Sequence, residues 1–297
     1  MSKRQTILVT GSTGQLGQSI QSIKAGYLEY EFIFVNRQQL DLSSETSIAS
    51  FFEHNTFDIV INCAAHTAVD KAESEPELAS KINHLGVQQL AHIAKQHHAK
   101  LIHISTDYVF SGKGYRPYCE TDDVAPDGVY GTTKFQGEQA IQQTLKNSAV
   151  IIRTSWVYSE YGNNFVKTML KLGQERDSLN VIFDQVGTPT YAKDLAKAIM
   201  SIIQSQAFNQ ADFKTNVVHF SNEGVCSWYD FAKTIFELTS IQCIVNPIET
   251  KDYRTPAARP YYSVLNKAKI KRTYHLAIPY WKDSIKQCLT ALHGKAP

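Results

Sequence analysis

Cysteine is scarce and scattered in this sequence. The five residues, Cys63, Cys119, Cys226, Cys243 and Cys288, are odd in number and include no CxxC. That argues against a disulfide framework and fits a reducing cytoplasm, with the thiols serving as small packing residues. The ten histidines include no HExxH, and "KQHHAK" reads as the solvated end of a helix, so no metal site is expected. Long apolar runs are also missing. The longest, such as "FDIVINCAA", have strand length, which argues against a membrane-spanning helix. The basic start "MSKRQTILVTG" leads into a short apolar run that suits a buried strand rather than a signal peptide. The net charge of +2 is spread along the chain, with no basic block longer than that around "IKR", so nucleic acid is not an expected partner.

What is present is ordinary globular material, 43% apolar and 20% charged. The first half alternates apolar strands ("TILVT", "EFIFVN", "DIVINCAA", "KLIHIST", "AVIIRTSW") with helical stretches. Among these, residues 74–98 read as one long amphipathic helix with Pro76 in its first turn. Strands apolar on both faces, alternating with helices, predict an α/β fold with a doubly wound, Rossmann-type parallel sheet. After about residue 155 the pattern loosens, and the loop "ETKDYRTPAARPYYS" looks irregular. The expected division is a dinucleotide-binding domain over 1–155. Residues 156–297 then form mainly a smaller, interleaved substrate lobe, with some segments returning to the first domain.

"TILVTGSTGQLGQSI" places Gly11, Gly14 and Gly17 between the first strand and a helix. Glycines there permit a tight turn and close backbone approach to a pyrophosphate, which the helix N-terminus attracts. At the end of the second strand stand Asn36 and Arg37, where an NAD site usually has an acidic residue. A guanidinium pairs with a 2′-phosphate, so NADPH is the expected cofactor. Asp41, a few residues on, keeps NADH possible.

Two Tyr-x-x-x-Lys matches compete. Tyr130 and Lys134 lie in "VYGTTKFQGE", and Tyr229 and Lys233 in "SWYDFAKTIFELT". The first opens a helix after the fourth strand, whose end "ISTDYVF" brings Ser105, Thr106 and Asp107 to the rim where ligands bind in such sheets. A phenol, an ammonium one turn away and a hydroxyl suit proton delivery to a carbonyl oxygen while hydride arrives at carbon. The second sits among Trp228, Phe231, Ile235 and Phe236 and reads as packing. Trp156 offers an indole face and an N–H donor for a deoxysugar.

Together the glycine motif, "NCAA", "STDYVF" and YxxxK resemble the extended short-chain dehydrogenase/reductases. "AAHTAVDKAESEPE", "VYGTTK", "RTSWVY", "GNNFVKTML" and "DQVGTPT" resemble, more narrowly, the dTDP-4-dehydrorhamnose reductase family, in order from about residue 6 to "ARP" at 258–260. The resemblance implies a triad of Thr106, Tyr130 and Lys134 reducing the C4 ketone of dTDP-4-dehydro-β-L-rhamnose. It implies Gly14, Gln15 and Leu16 at the cofactor phosphates, Asp41 and Leu42 near the adenine, and Ala64, Ala65 and Thr67 along the dinucleotide. Thr106, Asp107, Tyr130 and Trp156 would meet the dTDP-sugar. Asn163 and Asn164 suit either the substrate or a helix cap, and Arg254 and Arg259 are candidates for the diphosphate. The chain has Gly128 where many members have Asn. Ser19 and Lys193 stand where some members carry acidic ligands to a bridging metal, so no metal is expected and monomer or homodimer is left open. The alternatives are a related sugar-nucleotide epimerase, dehydratase or reductase, and a non-catalytic dinucleotide-binding regulatory subunit.

Overall fold

The computed structural model describes residues 4–294; the first three residues of the basic start and residues 295–297 lie outside it. The first half runs β1 (Gln5–Thr10), α1 (Gln15–Ile23), β2 (Tyr30–Phe34), α2 (Glu45–Glu53), β3 (Ile59–Asn62), α3 (Val69–Ser74), α4 (Pro76–Ser80) and α5 (Gly86–Gln96). It continues through β4 (Lys100–Thr106), α6 (Val129–Thr144) and β5 (Ala149–Thr154). Next come β6 (Val157–Tyr158), α7 (Phe165–Glu175), β7 (Ser178–Ile182), β8 (Val186–Gly187), β9 (Thr190–Tyr191), α8 (Ala192–Gln204) and α9 (Gln206–Asn209). The chain ends with β10 (Asn216–His219), β11 (Cys226–Ser227), α10 (Trp228–Thr239), β12 (Ile244–Ile248), α11 (Ala268–Tyr274) and α12 (Trp281–His293).

Six strands form one parallel sheet in the order β10-β5-β4-β3-β1-β2. Their two-sided apolarity follows from helices on both faces. In β1, Ile7 and Val9 pack with Ile20 of α1 and Ile199 of α8, while Leu8 points the other way to Ile48 of α2 and Leu90 of α5. The strand order reverses at β1 and β3, so the crevice beyond their carboxyl ends is where this topology places a ligand. β10, drawn from the second half, completes the sheet edge. Of the other late elements, α8, α9 and α11 also pack on this sheet, while β6, α7, β7, β9, β11, α10, β12 and α12 build a lobe of their own around Tyr158, Val166, Phe231 and Trp281. In it β7 and β12 pair, and Pro247 is accommodated because β12 has only one neighbour.

The expected single helix over 74–98 is interrupted. A π-turn at Lys81–Leu85 separates α4 from α5. The turn carries Asn83, 1% exposed, whose Oδ1 accepts from His66 N at 2.9 Å. Its Nδ2 donates to His66 O at 3.1 Å and to Thr133 Oγ1 at 3.3 Å. A regular 3.6-residue pattern carries no sign of such a turn, which serves a tertiary contact with the loop after β3.

Candidate active site

β1 ends at Thr10 and enters the glycine loop. Gly11 has φ +64, and a Cβ there would lie 2.8 Å from Ala64 N. A Cβ on Gly17 would lie 2.4 Å from Gly11 O, so the loop folds tightly onto the first turn of α1. That helix begins at Gly14 with no side-chain cap, leaving its free N–H groups to a ligand. Gly17→Ala is expected to weaken dinucleotide binding at least about tenfold by forcing this turn open; calorimetric titration checks it, and unchanged affinity would refute the packing argument.

At the end of β2, Arg37 Nε meets Asp41 Oδ2 at 3.2 Å, and Arg37 Nη2 donates to Ser43 Oγ at 3.4 Å. Burial raises the Asp41 carboxyl, but hydrogen bonds from Ser43 and Arg37 outweigh it and hold it below its ordinary value.

The far wall is joined to the glycine loop by Gln15. Its Nε2 donates to Val157 O at 3.2 Å, and its Oε1 accepts from Ser159 Oγ at 3.0 Å and Asn164 Nδ2 at 2.9 Å. Asn164 also caps α7, its Oδ1 accepting from Lys167 N at 3.2 Å. Of the two roles its position allowed, the capping one is formed, and the amide is engaged with the phosphate cradle as well.

β4 ends at Thr106, and α6 carries Tyr130 and Lys134 to the same rim. Thr106 Oγ1 donates to Asp107 Oδ1 at 3.0 Å. Burial pushes the Tyr130 phenol up to about 12, the Thr106 hydrogen bond lowers it, and the Asp107 charge raises it. The Tyr108 ring meets that of Tyr130 edge-on, 5.4 Å between centroids. Burial brings Lys134 down to about 8, against the opposing influence of Glu138 and Cys63. Its Nζ donates to Ile104 O at 2.6 Å and stands 3.2 Å from His103 Nε2. Burial raises Asp107 to about 7, opposed by hydrogen bonds including that from Thr106. In place of an amide at Gly128, Glu73 Oε1 accepts from Val129 N at 2.8 Å at the start of α6.

One cavity of about 1520 Å³ collects these elements. Gly11, Gly14, Gln15, Leu16 and Gly17 line it at one end, with Arg37, Asp41 and Leu42 beside them. Ala64, Ala65 and Thr67 follow, then Thr106, Asp107, Tyr130 and Lys134. Trp156, Asn164 and Arg259 close the other side. Arg254, Tyr229 and Lys233 do not line it.

The cavity also uses residues that pattern alone did not reveal. Trp228 stacks on Trp156 at 3.6 Å and 10°, so the indole of Trp156, whose φ is +49, is covered on one face by protein. Trp228 read as part of an apolar helix face, yet it is the first residue of α10, directly after the Ser227 cap, and so projects from the helix end. Asp70 of α3 pairs with Arg259 Nη2 at 2.7 Å and accepts from Ala257 N at 3.1 Å, tying the irregular late loop to α3. Arg259 Nη1 is buried without a hydrogen-bond partner among the described residues.

The sequence profile of the family described as RmlD substrate binding domain matches residues 5–293. The chain belongs to that family. Among its relatives, a dTDP-4-dehydrorhamnose reductase of Escherichia coli K12 is 42% identical, covering 96% of this chain and 97% of its own. The crystal structure of a dTDP-4-dehydrorhamnose reductase from Clostridium acetobutylicum superposes with a TM-score of 0.90 at 42% identity, over 97% of this chain and 99% of that one. That of Bacillus anthracis, in complex with NADP, also gives 0.90, at 36% identity over 97% and 100%.

Proposed function

We propose that the protein reduces the C4 ketone of dTDP-4-dehydro-β-L-rhamnose to dTDP-β-L-rhamnose, the last step of dTDP-L-rhamnose biosynthesis, with NADPH preferred and NADH usable. The observation that carries this reading is the meeting of Thr106, Tyr130 and Lys134 with the glycine cradle in one cavity of an RmlD-family chain. The residues fit the cofactor. A Cβ on Gly11 or Gly17 would close the cradle against backbone, and the uncapped helix end and Arg37 supply partners for phosphate. When bound, the dinucleotide supplies the hydride.

The chain's own residues do the rest. Tyr130, protonated at neutral pH, gives its proton to the ketone oxygen as that oxygen gains charge. Thr106 lies beside the phenol and holds the same oxygen in line. Lys134, charged below about 8, draws the phenol toward proton release and anchors the ribose. Trp156, backed by Trp228, sets an aromatic wall against the sugar, and the unpaired Nη1 of Arg259 is the donor offered to the diphosphate. In this division residues 1–155 form the dinucleotide-binding domain and residues 156–297 mainly the substrate lobe, with segments such as β10 and α8 returning to the first sheet. No helix among the described residues is long and apolar enough to cross a membrane, and we place the enzyme in the cytoplasm with its nucleotide substrates.

The test is oxidation of NADPH that depends on dTDP-4-dehydrorhamnose generated in situ. Net consumption separates reduction from epimerisation, and no turnover by folded, cofactor-binding protein would reject the reading. Arg37→Ala should raise the KM for NADPH about tenfold or more, as charge-assisted hydrogen bonds to the 2′-phosphate are lost, with little change for NADH. Equal effects on both cofactors would reject the assignment of Arg37.

A further inference from the structure

Behind Lys134 lies a run of buried polar groups that the reaction above leaves unused and that does not line the cavity. His103 on β4 is fully buried, with Nε2 3.2 Å from Lys134 Nζ and Nδ1 3.0 Å from Asn62 Nδ2. Asn62 Oδ1 accepts from the Thr10 hydroxyl at 2.7 Å and from Ala64 N at 3.2 Å. The run thus joins the lysine to the end of β1, where the glycine loop starts, and to a residue on the cavity wall.

Protons in this run are not independent. A neutral imidazole has one donor and one acceptor nitrogen, and an ammonium has donors only. With the Asn62 oxygen turned to Thr10 and Ala64, its Nδ2 faces His103, so Nδ1 accepts and the ring proton sits on Nε2. That proton points at Lys134 and needs a lone pair there, so this arrangement belongs to the neutral amine. A charged Lys134 demands the reverse: Nε2 accepting, the proton on Nδ1, and the Asn62 amide turned to offer its oxygen. A doubly protonated ring is disfavoured, because burial and the Lys134 charge hold His103 well below its ordinary value.

We propose that His103 is a positioning residue whose tautomer is locked to the charge of Lys134, accepting from the ammonium in one state and donating to the amine in the other. This rests on Lys134 serving the reaction proposed above. The other groups facing Lys134 are Glu138 on its own helix and Cys63 after β3. Glu138 is held by Arg153 from β5 and by Ser105 from β4. Of the side chains named, His103 is the one within hydrogen-bond distance of Lys134 Nζ, and a neutral imidazole can both give and take such a bond.

The decisive experiment is nitrogen-15 NMR of the full-length protein labelled at histidine, with His103 assigned against His103→Gln. The expected result is a switch from the Nδ1–H to the Nε2–H tautomer as pH rises through the Lys134 titration. A single tautomer across that range overturns the proposal whatever the enzyme's activity. In parallel, His103→Leu removes the acceptor, which harms the charged lysine more than the neutral one. The alkaline limb of kcat should therefore move to lower pH by about one unit, and His103→Gln, which keeps an acceptor, should restore it. An unmoved limb in His103→Leu also overturns it. Tyr130→Phe, run beside these, fails separately: if it turns over normally, the catalytic reading falls while the NMR result still decides the tautomer.

Discussion

Tyr130→Phe should lower kcat by about 10² to 10⁴ while Tyr229→Phe leaves it unchanged, because only one of the two phenols lines the cavity. Tyr130 lines the cavity beside Thr106 and Asp107. Tyr229 lies partly buried against the core of the second lobe. The Tyr130 phenol, pushed up to about 12 chiefly by burial, keeps its proton through the neutral range and is a donor there rather than a phenolate base. In the proposed reaction the group that limits the rate on the alkaline side is Lys134. Its value falls to about 8 on burial, so it is charged below that pH and neutral above, and the rate should decline as pH rises through that region. Stopped assays of cofactor oxidation across pH, with both variants, decide the matter. Loss of activity in Tyr229→Phe alone would reverse the assignment.

Arg153→Met should cost the fold about 3–5 kcal/mol, the usual consequence of leaving one partner of a buried ion pair alone. Arg153 Nη2 meets Glu138 Oε2 at 2.7 Å, with side chains 3% and 0% exposed, and its guanidinium lies 5.0 Å from the Phe110 ring centroid. Met fills much of the volume but leaves Ser105, at 2.5 Å, as the one hydrogen-bond donor to the Glu138 carboxylate among the described residues. Denaturant unfolding should show a lower midpoint with the slope unchanged. Glu138→Gln combined with Arg153→Met should recover part of the loss, since neither member of that pair is then left charged without the other. A single variant as stable as the wild type would show that the pair contributes nothing to stability.

The split between what was legible in the chain and what was not follows the range of the interactions. Strand and helix positions come from short-range periodicity, and the Ser44 and Ser227 caps are one-turn signals; all of these could be read locally. The π-turn at Asn83 could not, because its partners His66 and Thr133 lie 17 and 50 residues away. Nor could the Trp156–Trp228 stack or the Asp70–Arg259 pair, in which each residue alone looks like common core or surface material.

From the sequence by itself came the parallel sheet, the glycine cradle and the placing of Tyr130, rather than Tyr229, at the rim of the cavity. Each depends on residues close together in the chain, where backbone geometry alone sets which groups share a turn or a strand end. Tertiary structure alone decided which way the polar groups point. It gave Asn164 to a helix cap and to Gln15, turned Lys134 toward Ile104 and His103, and so set the interior histidine of β4 beside Lys134. Hydrogen-bond direction depends on which partners the fold brings within about 3 Å, and no spacing in the chain encodes that.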